Sequence, residues 1–257
     1  MCALRRVPLS AAAFSGGSPG LERTPVLPCA EIATEHLGVA LLRTQPGGRT
    51  VVHHHGHYDT AVYVLEGIVR FDCGPRLAQH VDGQAGDFMF VAPYAVHQEN
   101  NPADEGDNYM IVVRDTHGVA LFPCDVPTDT PGGATGVHVI PAASAPAVDS
   151  QRIAGVAPTT CGARWVAMDR LVLAPARGAA TAPGEPGESA LVVLRGSVQV
   201  TGGGDALDLS AGDWLYVEPG TAWTAESAGD SAELVVIRCT RAVAARARPG
   251  VLSASRG

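Results

Sequence analysis

Four histidines fall within five residues of this 257-residue chain, in the run His53-His54-His55-Gly56-His57. Side chains two apart on a strand share a face, so His53 and His55 point the same way, and His57 joins them if the strand continues. Imidazole suits zinc, iron, nickel and copper, and a third ring from a distant strand would complete one side of a coordination sphere. His97 is the candidate for that third ring. Asp59 lies just past the run and is the nearest carboxylate, either as an acid–base group or as a ligand in place of His57. His54 should face away from the other two. His36, His80, His117 and His138 are isolated in sequence and read as structural.

For His97 to meet His53, two segments far apart in the chain must lie side by side, and an internal repeat indicates how. Residues 46–69 align without a gap on residues 175–198, pairing Asp59 with Glu188, Thr60 with Ser189, Leu65 with Leu194 and Gly67 with Gly196. The block from Gly86 to Pro93 matches the block from Gly212 to Pro219 in the same order. Each copy reads as antiparallel β, with strands expected over 38–44, 61–65, 69–73, 88–91 and 109–114, then over 165–173, 190–194, 198–201, 214–217 and 234–239. These runs are rich in β-branched and aromatic residues and bounded by Gly, Pro, Asp or Asn. The expected layout is a flexible arm (1–30), a metal-binding domain (31–114), an extended connection (115–162), a second domain (163–240) and a loose tail (241–257).

On its motifs the first copy resembles the cupin superfamily. Gly47, His53, His55 and Gly67 fall on that family's first motif, and Gly86, His97 and Asn101 on its second. Ala92 and Tyr94 stand where the second motif usually has proline and glycine. The resemblance implies an all-β fold of two tandem cupin barrels (double-stranded β-helix, jelly-roll) and one divalent transition metal: zinc, with Fe(II) or nickel as alternatives. The family's acidic ligand would fall on Thr60, a poor ligand, so His57 is expected as the fourth ligand beside His53, His55 and His97. In the second copy Ala182, Gly184 and Trp223 replace the three histidines, so that copy should bind no metal.

Composition narrows the classes of function. The net charge of −8 argues against nucleic acid as a partner, and no apolar run approaches the roughly 18 residues of a membrane span. All 18 basic residues are arginine, which removes Schiff-base, pyridoxal-phosphate and Walker-lysine chemistry. Six scattered cysteines form no C-x-x-C pair, and with no secretion signal they read as reduced cytoplasmic thiols.

The first copy also resembles small cupins of bacterial aromatic polyketide pathways, some of which are cyclases with an all-histidine metal site. That likeness implies non-redox chemistry on a carbonyl-rich small molecule, with the ion polarising a ketone. A cupin dioxygenase and a non-catalytic binding protein are the alternatives. The chain is expected as a monomer or homodimer.

Overall fold

Apolar residues run through Thr60–Glu66 (TAVYVLE) and Ser189–Arg195 (SALVVLR) without the alternation of a half-exposed strand, so both need cover on two faces. The computed structural model describes residues 2–9, 20–129, 135–175 and 179–243, and these form four antiparallel sheets. In the first half a six-stranded sheet runs Val137–Ile140, Phe88–Val91, Thr60–Glu66, Asn108–Arg114, Gly38–Thr44, Leu21–Leu27. A five-stranded sheet faces it, in the order Phe122–Pro123, His53–His54, His97–Asn100, Ile68–Cys73, Gln79–Gln84. Val62, Val64, Met110 and Val112 of the larger sheet meet Val69 and Phe71 of the smaller one between them.

The second half repeats this plan, without a counterpart to Phe122–Pro123. Its six-stranded sheet runs Leu4–Val7, Trp214–Val217, Ser189–Arg195, Ala232–Cys239, Val166–Leu173, Arg152–Val156. The facing sheet has Ala179–Ala182, Trp223–Ser227, Ser197–Gly202 and Asp205–Ser210. Even a bulge recurs. The pairing skips Leu65 opposite Tyr109 and Met110, and skips Leu194 opposite Glu233 and Leu234. Each half is a pair of open sheets packed face to face, the double-sheet arrangement expected, with no pairing that joins their edges among the described residues.

The first thirty residues are not a loose arm where they are described. Leu4–Val7 pairs with Trp214–Val217 at the edge of the second half, with Leu4 and Val7 buried. Leu21–Leu27 pairs with Gly38–Thr44. The segment 115–162 supplies strands to both halves, Val137–Ile140 to the first and Arg152–Val156 to the second. Residues 10–19 of the arm and 244–257 of the tail lie outside the described residues. All six cysteines are described and free, and no described helix is long and apolar enough to cross a membrane.

A third core joins the halves. Ala61, Tyr63, Phe88 and Ile111 on the outer face of one six-stranded sheet pack in the same cluster as Ala190, Trp214, Tyr216 and Val235 of the other. Two buried carboxylates fasten this junction reciprocally. Asp59 Oδ2 accepts the N–H groups of Arg164 and Trp165, both at 2.6 Å. Its repeat counterpart Glu188 accepts those of Glu35, His36 and Leu37 at 2.8, 2.8 and 2.9 Å. Each half thereby holds the chain just before a long strand of the other, Val166–Leu173 or Gly38–Thr44, through charge-assisted hydrogen bonds. Asp59→Ala and Glu188→Ala should each lower stability by roughly 2–4 kcal/mol, because two or three backbone donors lose a charged acceptor. Denaturant unfolding measures the loss.

Candidate metal centre

His53–His54 is a two-residue strand held between Phe122–Pro123 and His97–Asn100, and its register sets His53 directly opposite His97. His55 follows on the same side. The three rings are fully buried, with centroids 4.4 Å (His53–His97), 4.7 Å (His55–His97) and 5.0 Å (His53–His55) apart. Their ligand atoms and a carboxylate oxygen of buried Glu99 all lie within 4.8 Å of one another, the one such cluster among the described residues.

The hydrogen bonds around the cluster decide which nitrogen carries the proton. His53 Nδ1 is 2.9 Å from the Val51 carbonyl, and His97 Nδ1 is 2.9 Å from the Ala95 carbonyl. A carbonyl only accepts, so both Nδ1 atoms are protonated and both Nε2 atoms present lone pairs. Arg114 Nη2 donates to His55 Nε2 at 3.0 Å, which leaves His55 Nδ1 as the donor to Thr60 Oγ at 2.8 Å. In the neutral imidazoles that bind a metal, all three Nε2 atoms are therefore unprotonated. His53 and His55 face each other through theirs at 3.1 Å, and that of His97 is buried with no hydrogen-bond partner. Lone pairs turned on one another inside a protein repel unless a cation lies between them, and imidazoles tied back through their other nitrogen are the usual form of a metal ligand. The residues fit a metal ion. Burial first, then Arg114 and the neighbouring rings, push His55 well below the usual histidine value. Burial, then His53, pushes His97 down to about 3.

Two expectations are corrected. His57 is outside the cluster: the strand ends at His54, Gly56 turns the chain with φ of 63°, and His57 is exposed with its ring 4.0 Å from that of Tyr58. Asp59 is no acid–base group for this site, because its carboxylate is engaged by the backbone of Arg164 and Trp165 at the junction. Thr60 takes the place of the family's acidic ligand and instead orients His55. Glu99 is the residue that the sequence reading missed. Its signal was present: the two-residue alternation that joins His53 to His55 also joins His97 to Glu99 along His97–Asn100.

His54 faces away from the cluster, between the rings of Phe122 (5.6 Å) and Tyr94 (5.8 Å). Tyr94 adopts φ of 60° at the position where the cupin motif usually has glycine. His36, His80, His117 and His138 lie outside the cluster. In the second half Ala182 stands opposite Trp223 as His53 stands opposite His97, and the same register carries Glu99 to Ala225. All three replacements lie in that half's apolar core.

Residues 40–114 match the protein-family model described as the cupin domain, Cupin_2. Among solved structures, protein YlbA of E. coli shares the fold with a TM-score of 0.68 and 14% identity, covering 94% of this chain and 92% of that one. Oxalate decarboxylase of Bacillus subtilis, described with Mn(II) centres, shares it with a TM-score of 0.66 and 14% identity over 95% of this chain and 78% of that one. No curated protein matches the chain. The domain match and the shared fold support the cupin superfamily.

Glu99→Gln and His97→Ala should each deplete the protein of metal, while His57→Ala leaves the metal content unchanged; elemental analysis of the three purified variants measures this. A pH dependence follows for metal-free protein. His97 stays neutral when folded down to about pH 3, whereas its unfolded counterpart protonates below 6.5. The unfolded state then binds more protons, so stability is full above pH 6.5 and is lost progressively as pH falls toward 3. Urea unfolding between pH 8 and 4 should show that slope, and His97→Phe should flatten it.

Proposed function

We propose that the chain is a bicupin enzyme with one metal centre, in its first half, acting on a small carbonyl-bearing metabolite by non-redox cyclase, isomerase or lyase chemistry. The observation that carries this reading is the convergence of three Nε2 atoms on one buried point beside Glu99. His53, His55 and His97 would hold the ion through Nε2, the His55 lone pair going to the ion in place of Arg114 Nη2, and Glu99 through its carboxylate. When bound, such an ion supplies Lewis-acid polarisation of a carbonyl oxygen.

The chain's own groups do the rest. The Val51 and Ala95 carbonyls and Thr60 Oγ keep each ligand in the right tautomer. Arg114 brings a fixed cationic donor to the edge of the cluster. Phe71, its ring 5.4 Å from that of His97, helps to keep bulk water away from the histidines. The likeness of the first copy to polyketide cyclases supports a carbonyl-rich substrate. A second reading has its own support: a carboxylate beside three imidazoles suits Mn(II) and Fe(II) as well as zinc, and the oxalate decarboxylase fold neighbour is described with Mn(II). That reading is an oxygen-dependent enzyme on the same site.

The test is metal analysis of the purified chain, followed by incubation with a polyketone substrate with and without oxygen. One ion per chain and turnover without oxygen are expected. A strict oxygen requirement would select the second reading, and a loaded protein inert under both conditions would leave a binding protein.

A further inference from the structure

The second half contains a filled version of a feature that the first half leaves open. Asp169 lies on the inward face of Val166–Leu173 and is buried. Arg238 Nη2 approaches its Oδ2 at 2.5 Å and Arg152 Nη1 at 3.7 Å, so two arginines close on one carboxylate.

Strand register identifies the counterparts in the first half. Arg23 stands opposite Leu42 as Arg152 stands opposite Leu171. Past them Pro25 pairs with Ala40 and, after a bulge, Leu27 with Val39. Ala154 likewise pairs with Asp169 and, after a bulge, Val156 with Met168. On the other side Arg114 stands opposite Gly38 as Arg238 stands opposite Ala167, and Val112 opposite Ala40 as Val236 stands opposite Asp169. The first half therefore keeps both arginines, Arg23 and Arg114, and carries Ala40 where the second half carries Asp169.

That pair lacks a counter-charge. Among the described residues the Arg23 side chain makes no hydrogen bond or ion pair, and the residue is exposed. Arg114 bonds to Thr60 Oγ at 3.3 Å and to His55 Nε2 at 3.0 Å, with no carboxylate at ion-pair distance. Burial pushes Arg114 down to about 10, and the charge of Arg23 adds to that push against the opposing pull of Glu99. Two guanidinium groups that feel each other, one exposed and one half-buried and neither with a carboxylate partner, form a site for a planar anion.

We infer that Arg23 and Arg114 bind the carboxylate of the substrate at the place that Asp169 occupies in the second half. Arg114 also touches His55, so a molecule anchored there has its remaining atoms at the histidine cluster. The substrate class is then a small carboxylic acid with a carbonyl group nearby, a keto acid, rather than a neutral polyketone. The carboxylate contact stands on the arginines alone; the place of the carbonyl rests on the metal-centre reading above. A neutral ligand would leave both positive charges unpaired, which is the basis for discrimination.

The probes are pyruvate and its uncharged methyl ester, titrated by calorimetry into metal-loaded and metal-stripped protein. Pyruvate should bind at least about tenfold more tightly than the ester, and Arg23→Gln or Arg114→Gln should weaken it about tenfold. Ala40→Asp, which transplants the carboxylate of the second half, should abolish pyruvate binding while metal content is kept. Equal binding of acid and ester, no binding to loaded wild-type protein, or wild-type affinity in the arginine variants or Ala40→Asp would overturn the inference. Should wild-type protein retain no metal, the metal-centre reading fails by itself, and the same comparison on stripped protein judges the arginine site.

Discussion

Burial of Thr60–Glu66 on both faces leaves that strand no freedom to slip. A shift of one residue would move Val62 and Val64 out of the first-half core and push Ala61 and Tyr63 into it, exchanging every contact on both sides. Because its start cannot move, Thr60 Oγ stays against His55 Nδ1, and Asp59 stays against the backbone of Arg164 and Trp165. The orientation of a ligand and the attachment of one half to the other are thus consequences of a single register. Ser189–Arg195 repeats the arrangement, with Glu188 in the part of Asp59.

Within that shared frame the two halves use their inward faces differently. The first buries three imidazoles, a carboxylate and part of an arginine, all of which are costly to desolvate unless something charged is bound among them. The second fills the same positions with Ala182, Trp223 and Ala225, and answers its two inward arginines with Asp169. The second half answers its two inward arginines with a carboxylate, and the first leaves His97 Nε2 without a partner and its two arginines without a carboxylate. The first half is held against the second, whose outer strand Leu4–Val7 comes from the far end of the chain.

Strands with continuous apolar runs were legible. Phe88–Val91, Trp214–Val217 and Gly38–Thr44 have the bounds expected from composition and flanking turn residues. Gln79–Gln84 and Asp205–Ser210 were not, because each has a polar face in solvent and too few β-branched residues to stand out. Leu4–Val7 carries no local sign of its role, since its partner lies about two hundred residues away. At the site, His53, His55 and His97 could be named from spacing, but extending the alternation to His57 failed at the turn on Gly56.

The sequence by itself determined the duplication, the all-β character, the three histidines and the loss of their counterparts in the second copy. These are matters of residue type and of periods of two residues, which act locally. Only the tertiary structure decided that Glu99 rather than His57 joins the cluster, that Asp59 fastens the halves, and that Arg23 and Arg114 lack the carboxylate that Asp169 gives their counterparts. Each of those depends on which backbone donors and charges from distant segments come within hydrogen-bond reach. Long-range packing sets that reach, and no local pattern encodes it.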